Sequence, residues 1–293
     1  MTTQLTVYLL PPSLVRRAQP VFASATYDQP FRDLVFDGKL ALPVVVDHPT
    51  APTAAVIGHP FYHFVAGQVA LGLRAFLRDA PDESGVFANY YAYATDSAGW
   101  REALAADRPE FMTLDRLDFK WPTGEPAPGW RDRLPDGVTL ARIDGPMAAR
   151  VDAELNEHVA ANWGSYDTFD RYGDGLALLL GGRVACAAYT SGMSSTQANI
   201  SIVTAEDQRG RGLAMLTCAA LIERLLARGI QPTWCSDTIN TASARLARKL
   251  GFAEDKPYWQ VGPRWGEPLA RTRGLWSVGA PDADGVVAWR RTT

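Results

Sequence analysis

Three cysteines in 293 residues, Cys186, Cys218 and Cys235, form no CxxC pair and leave an odd number, which excludes a disulfide framework. They fall in segments that read as strand, helix and strand, so they are expected to be reduced and buried. An excess of either charge is also missing. The 29 cationic residues against 32 acidic ones give a net charge of −3, so no summed positive field points to nucleic acid as a partner. Lysine is scarce beside arginine, a bias that with abundant alanine suggests a GC-rich genome and carries no functional signal. No apolar run approaches the roughly 20 residues that cross a bilayer. The start, MTTQLTVYLLPPSLVRR, has no basic region before its short apolar run and meets a proline pair at once. The expectation is a cytoplasmic enzyme with no membrane partner.

What is present is a 47% hydrophobic composition, enough for one large or two modest cores. Proline and glycine crowd the stretch from Trp121 to Gly137 so densely that neither helix nor strand can persist there. This sets a first domain at 1–121, a linker at 122–137 and a second domain at 138–293. In the second domain Val138 to Ile143 reads as a strand and Met147 to Ala161 as a helix. Two apolar runs joined by Gly181-Gly182-Arg183 read as a hairpin. Ala198 to Thr204 is a third strand, followed by a glycine-rich loop and a helix from Leu213 to Arg228. Pro232 to Ser236 is a buried strand, Thr241 to Leu250 a helix stopped by Gly251, and Phe252 to Val261 extended.

The first domain reads as a shortened copy. Strands are expected at Leu40 to Val46, Ala54 to Ile57, Phe61 to Val65 and Val86 to Tyr93, helices at Gln68 to Arg78 and Trp100 to Ala106, and an extended run at Phe111 to Phe119. It has no phosphate loop, since Val65-Ala66-Gly67-Gln68 offers a single glycine.

The chemistry is concentrated in Arg209-Gly210-Arg211-Gly212-Leu213-Ala214, between a strand and an apolar helix. Successive backbone N–H groups there can converge on an anion at the positive helix end, and the two glycines let phosphate oxygens approach the backbone. Met215 stands where the dinucleotide fingerprint needs its third glycine, and no Walker lysine follows. By itself the loop is either an anion cradle or a tight strand-to-helix turn.

Arg209-x-x-Gly212-x-Ala214 together with Asn240-Thr241-Ala242-Ser243, leading to Leu250-Gly251-Phe252, resembles the GCN5-related N-acetyltransferases (GNAT) over about Val138 to Val261. The likeness extends to the zwittermicin-resistance-type branch through Trp163-Gly164-Ser165-Tyr166, Phe169 and the run Gly173 to Leu180. The resemblance implies an α/β fold, a mixed and mostly antiparallel sheet flanked by helices, with a degenerate GNAT-like N-terminal domain. It implies acetyl-CoA as acyl donor, no metal, a small-molecule amine as acceptor and, as an open question, a homodimer. Ile202, Val203 and Thr204 would pair with the pantetheine arm. Gln208, Arg209, Gly210, Arg211, Gly212, Leu213 and Ala214 would cradle the pyrophosphate. Asn240 and Ser243 would reach the pantetheine or phosphate side, or else cap the following helix.

Acyl transfer needs a base for the attacking ammonium and an acid for the departing thiolate. Tyr258 is the candidate acid, its alternative being an aromatic packed beside Trp259. Many relatives carry a carboxylate on the strand before the loop, whereas Asn199-Ile200-Ser201-Ile202-Val203 carries no ionisable group. The alternatives are a water relayed by Asn199 or Ser201, a base from Glu157, His158, Asp167 or Asp170, or catalysis by positioning alone. Trp163 and Tyr166 would line the acceptor groove, or Trp163 would anchor a surface loop. A non-catalytic acyl-CoA-binding module is the rival reading of the missing carboxylate, and transfer of an aminoacyl or longer acyl group a third. His59 and His63 lack a third partner for a metal, and the serines at 191–195 lack a nucleophile elbow. The end of the chain, with Trp276 and Trp289, reads as a hairpin closing an edge or as a dimer contact.

Overall fold

The computed structural model describes residues 4–79, 85, 87, 92–122, 129–263 and 275–292. Its strands are β1 (Gln4–Leu10), β2 (Val44–Val46), β3 (Ala54–Ile57), β4 (Tyr62–Gly67), β5 (Ala92–Thr95), β6 (Met112–Lys120), β7 (Val138–Arg142), β8 (Gly175–Leu180), β9 (Arg183–Met193), β10 (Gln197–Thr204), β11 (Gln231–Asp237), β12 (Ala253–Glu254), β13 (Tyr258–Gly262), β14 (Trp276–Val278) and β15 (Val287–Thr292). Its helices are α1 (Gln29–Phe36), α2 (Leu71–Asp79), α3 (Ala98–Asp107), α4 (Gly145–Leu155), α5 (Val159–Trp163), α6 (Tyr166–Tyr172), α7 (Leu213–Leu226) and α8 (Thr241–Leu250).

The chain divides into two compact units. One holds Met1–Tyr27, Val35–Arg116 and Pro257–Thr293, the other Asp28–Leu34 and Leu117–Lys256. The Pro/Gly stretch read as a linker therefore falls within the second unit, its residues 123–128 lying outside those described. Residues 257–293 go with the first unit because β13 pairs with β5 and β15 with β1, long-range pairings that no local pattern announces.

In the first unit the strand order is β14-β15-β1-β2-β3-β4-β5-β13, followed by the start of β6. Val7, Val56, Val65, Phe76, Trp100 and Trp289 are buried in its core. The terminal segment is a hairpin, β14 antiparallel to β15, added to β1. The strand expected from Leu40 shortens to β2, since Pro43 cannot donate to a ladder. Most of the strand read at Val86 to Tyr93 lies outside the described residues.

In the second unit the order is the end of β6, then β11-β10-β9-β8-β7. Gly181 and Gly182 turn the β8–β9 hairpin with φ of 58° and 80°, the left-handed pair that matches strand twist. The helix read over Met147 to Ala161 is broken in two. Asn156 takes φ 54° at the end of α4, and the Asp152 carboxylate accepts from Val159 N at 2.7 Å and Ala160 N at 3.2 Å to start α5. Glu157 consequently sits in a turn rather than on a helix face.

Both units repeat one plan. Strands β2, β3 and β4 run antiparallel, α2 crosses over, and β5 returns parallel to β4. Strands β8, β9 and β10 do the same, α7 crosses, and β11 lies parallel to β10. The result is a mixed, mostly antiparallel sheet structure with helices on it, the first unit a reduced copy of the second.

The helix that carries the loop is tied down at its far end. Asp174, 1% exposed as a side chain, receives Arg224 Nε at 2.8 Å and Arg228 Nη1 at 2.5 Å, which fixes the last turn of α7 to the start of β8. Replacing Asp174 by Asn strands two half-exposed arginines beside a neutral amide. The expected cost is about 2 kcal/mol, read as a lower urea midpoint at unchanged slope. An unchanged midpoint would show that α7 is held by its apolar face alone.

Candidate active site

Parallel pairing between β10 and β11 covers only Gln197–Asn199 against Gln231–Thr233. Beyond that point β10 continues to Thr204 on the edge of β9, with Ile202, Val203 and Thr204 opposite Ala188, Ala187 and Cys186. A bulge marks the parting, where Ser191 of β9 is skipped between the pairs Asn199–Gly192 and Ile200–Thr190. The Ser191 hydroxyl donates to Asn199 O at 3.3 Å. The other edge of β10 is thereby left without a ladder to β11 over its last five residues.

That edge opens on a cavity of about 820 Å³. From the sequence-derived set the lining includes Ile202, Val203, Thr204, Gln208, Arg209, Gly210, Gly212, Leu213, Ala214, Asn240 and Ser243. Arg211 is absent from the lining, its guanidinium turned onto Gln208 Oε1. Gly210 and Gly212 hold φ of 77° and 78°, and a Cβ on either would meet nothing within 4 Å, so the loop faces open space. Gly212 caps α7 with no side-chain cap and no acid in the first turn. The first-turn N–H groups, which have no intrahelical acceptor, are thus left to an incoming anion.

Sequence reasoning missed Arg245 and Lys249, which also line the cavity. They lie four apart on α8, the spacing that puts two side chains on one helix face. With Arg209 they give the lining three cations and no carboxylate. Asn240 both lines the cavity and caps α8, its Oδ1 accepting from Ser243 N at 3.1 Å. Ser243 Oγ accepts from Trp234 Nε1 at 3.0 Å, so each polar residue already has a structural partner.

The corresponding place in the first unit differs. A Cβ on Gly67 would lie 2.1 Å from Thr53 O, so the chain's own backbone fills the space that Gly210 and Gly212 leave open. The groove there includes Gly67, Gln68, Asp96 and Ser97 and no cation.

Residues read as acceptor-binding separate into different roles. Trp163 is fully buried, donates to Thr190 O at 2.8 Å and meets Phe169 edge-on, so it is a core anchor and not a groove wall. The Tyr166 hydroxyl donates to Asp152 Oδ2 at 3.1 Å. Asn199 is buried with its amide on Asp28 Oδ1 at 3.1 Å, which commits it to packing rather than to a water relay. Ser201 is half-buried and lies directly across from Tyr189 of β9.

Tyr258, read as the acid, belongs to the first unit and is absent from the cavity lining. It is 0% exposed, stacks on Tyr27 at 5.1 Å between centroids, and its oxygen accepts from Arg116 Nε at 3.2 Å. These contacts give it the packing role. Among the base candidates His158, Asp167 and Asp170 are exposed, and Asp170 pairs with Arg142 at 3.1 Å. Glu157 is half-buried, accepts from the Tyr189 hydroxyl at 2.7 Å, and has its carboxyl pushed up by burial. His63 lies on β4 with Nδ1 accepting from His59 N at 3.1 Å, and burial lowers its pKa to about 3, so the ring is neutral.

A family model described as GNAT acetyltransferase matches residues 36–260, and the chain belongs to that family. YdfB of Bacillus subtilis, an uncharacterised N-acetyltransferase, is 33% identical over 120 residues, 41% of this chain and 46% of that protein. An L-methionine sulfoximine/L-methionine sulfone acetyltransferase of Pseudomonas paraeruginosa is 38% identical over 73 residues, 25% of this chain and 42% of the relative. The chain thus spans less than half the length of the curated relatives it matches. A GCN5-related N-acetyltransferase-like protein from Streptococcus suis shares the fold at a TM-score of 0.69 and 23% identity, over 86% of this chain and 99% of its own.

Within the second unit, the Asn199 amide that meets Asp28 at the bulge also approaches Cys235 Sγ at 3.6 Å. Asp118, 5% exposed, has its pKa raised from 3.8 to about 7, by burial first and then by the Asp28 charge, with Lys120 opposing. Because the folded protein holds this proton and the unfolded chain does not, stability falls as pH rises from 3.8 to about 7. Asp118→Asn is expected to remove that slope and raise stability at pH 8 relative to the parent by about 2 kcal/mol, with a smaller gain at pH 5. Denaturant titrations at the two pH values check it, and an equal effect at both would refute the titration.

Proposed function

We propose that this GNAT acetyltransferase moves the acetyl group of acetyl-CoA to the amine of a small-molecule acceptor. The observation that carries the reading is the cavity along the unpaired edge of β10, ending at an uncapped helix N-terminus with three cations in its lining. An extended pantetheine arm can add to the open edge of Ile202 to Thr204 through main-chain hydrogen bonds, as a further strand would. Its amide groups find there the main-chain donors and acceptors of β10 that β11 no longer pairs.

The pyrophosphate then falls at Gln208 to Ala214, where two glycines hold φ above 70°, backbone that lets successive N–H groups cradle an anion. Arg209, Arg245 and Lys249 supply charge for the remaining phosphate oxygens. Asn240 and Ser243 border the arm while holding the start of α8. A flexible donor held straight in this way loses its entropy on binding rather than at the reacting step. The residues present suit acetyl-CoA, and no lining carboxylate opposes its negative charge.

The reading also takes the chain as cytoplasmic, in the zwittermicin-resistance-type branch, with the degenerate first unit as a partner domain. Among the described residues no helix is long and apolar enough to cross a membrane. The L-methionine sulfoximine relative supports an acceptor of amino-acid size.

Calorimetric titration with CoA tests the site directly. Gly212→Val places a β-branched residue at φ 78°, a conformation it adopts only at a cost of about 1–2 kcal/mol. CoA affinity is expected to fall ~10-fold or more, since 1.4 kcal/mol is one decade. Unchanged affinity would move the phosphates away from this loop. Thiol release from acetyl-CoA across a panel of amines tests the transfer itself, and tight binding without release would favour the non-catalytic module.

A further inference from the structure

We infer that Glu157 is the terminal proton acceptor for the attacking amine, reached through the hydroxyls of Tyr189 and Ser201. The inference rests on the acetyl-transfer reading above and supplies the base that β10 lacks.

Three observations place the relay. Ser201 precedes Ile202, the first β10 residue in the cavity lining, so it stands where the reactive end of an arm running up the strand from Thr204 would come. Ile202 packs with Leu178, Cys186 and Leu213, and strand alternation puts Ser201 on the opposite face. On that face Tyr189 of β9 is its direct cross-strand partner, which sets the two hydroxyl-bearing side chains side by side on adjacent strands. The Tyr189 hydroxyl in turn donates to Glu157 Oε2 at 2.7 Å.

The neighbouring carboxylates are committed elsewhere. Asp152 holds the N-terminus of α5 and accepts from Tyr166, Asp144 caps α4, and Glu154 accepts from Arg150 and Val184 N. Glu157 sits in the turn that the left-handed Asn156 creates, half-buried, so its proton can pass on to solvent. The charged groups that bear on it are Asp152, which raises its pKa, and His158, which lowers it. Burial outweighs both and makes the carboxylate a stronger base than an exposed one.

The step balances as follows. The acceptor ammonium gives one proton to Ser201 Oγ as the Ser201 proton moves to Tyr189 Oη and the Tyr189 proton to Glu157 Oε2. The freed nitrogen pair forms the C–N bond, and the C–S bond breaks with its electron pair on sulfur. The second N–H proton goes to the thiolate, giving the amide and the CoA thiol.

The test follows thiol release from acetyl-CoA with the full chain, using amino acids, amino sugars and diamines as acceptors. For the best of them, Glu157→Gln and Tyr189→Phe are each expected to lower kcat by about 10²-fold, the usual size of a general-base contribution. KM for acetyl-CoA should stay within about twofold and CoA affinity unchanged, which separates the relay from damage to the fold. The parent should lose activity toward acid pH as Glu157 protonates, and Glu157→Gln should lose that limb. Glu157→Asp should keep the limb at a lower pH with part of the rate.

A Glu157→Gln variant with the parental kcat and acid limb would overturn the relay while leaving acetyl transfer standing. A parent that binds acetyl-CoA yet releases no thiol with any amine would overturn the relay and the transfer together. A parent that does not bind acetyl-CoA would overturn the reading on which the relay depends.

Discussion

The parting of β10 from β11 is the constraint from which the second unit takes its character. Two parallel strands that paired throughout would satisfy each other and leave a closed sheet. Here the ladder stops at Asn199 and Thr233, and Ile200 to Thr204 keep only the β9 side. The stop is built from side chains as well as from the bulge. Ser191 holds the carbonyl of Asn199, the Asn199 amide is held by Asp28, and Thr233 Oγ1 donates to Ala198 O at 3.3 Å. Pairing is thereby pinned on one side of the parting and released on the other. An exposed strand edge is ordinarily a hazard that proteins blunt, and this one is turned into a wall of a charged cavity.

The two units show what the same plan does when the constraint is met and when it is not. Each has three antiparallel strands, a crossover helix and a parallel return. In the first unit the strand that leads to the crossover helix ends at Gly67, with backbone 2.1 Å from where its Cβ would be. In the second, Gly210 and Gly212 face nothing within 4 Å. Glycine therefore serves opposite ends in the two copies. At Gly67 it admits the chain's own backbone, and at Gly210 and Gly212 it leaves room for a ligand's oxygens. The loss of cations from the first copy agrees, since its groove presents Asp96 where a phosphate site needs positive charge.

Much of the second unit was legible because its signals are local. The Gly181-Gly182 turn, the loop from Arg209 to Ala214 and the stop at Gly251 each depend on backbone angles that few other residues adopt, and each stands where it was read. The lining residues followed from that loop and from Asn240. Arg245 and Lys249 did not, because a cation pair on an exposed helix face has the same pattern whether it meets solvent or a phosphate. The allocation of residues 257–293 to the first unit was illegible for a different reason. It rests on β13 meeting β5 and β15 meeting β1, pairings across more than 160 and 270 residues of chain. Trp163 was read as a groove residue or a loop anchor, and Tyr258 as the acid or a packed aromatic, from their place in a motif. The structure buries both at 0%, and burial is decided by packing partners that a motif does not contain.

The break at Asn156 links the fold to the chemistry proposed for it. A helix running unbroken through Ala161 would set Glu157 by the 3.6-residue period alone. The left-handed Asn156 and the Asp152 cap on Val159 instead make a turn that brings the Glu157 carboxylate to the Tyr189 hydroxyl at 2.7 Å. Asp152 spends its charge on two backbone N–H groups, and Glu157 spends one oxygen on a phenol whose cross-strand neighbour is Ser201 of β10. Two acids five residues apart thus acquire different work from one backbone kink. A strand with no ionisable side chain need not be a strand without a base, provided its hydroxyl reaches one through the neighbouring strand.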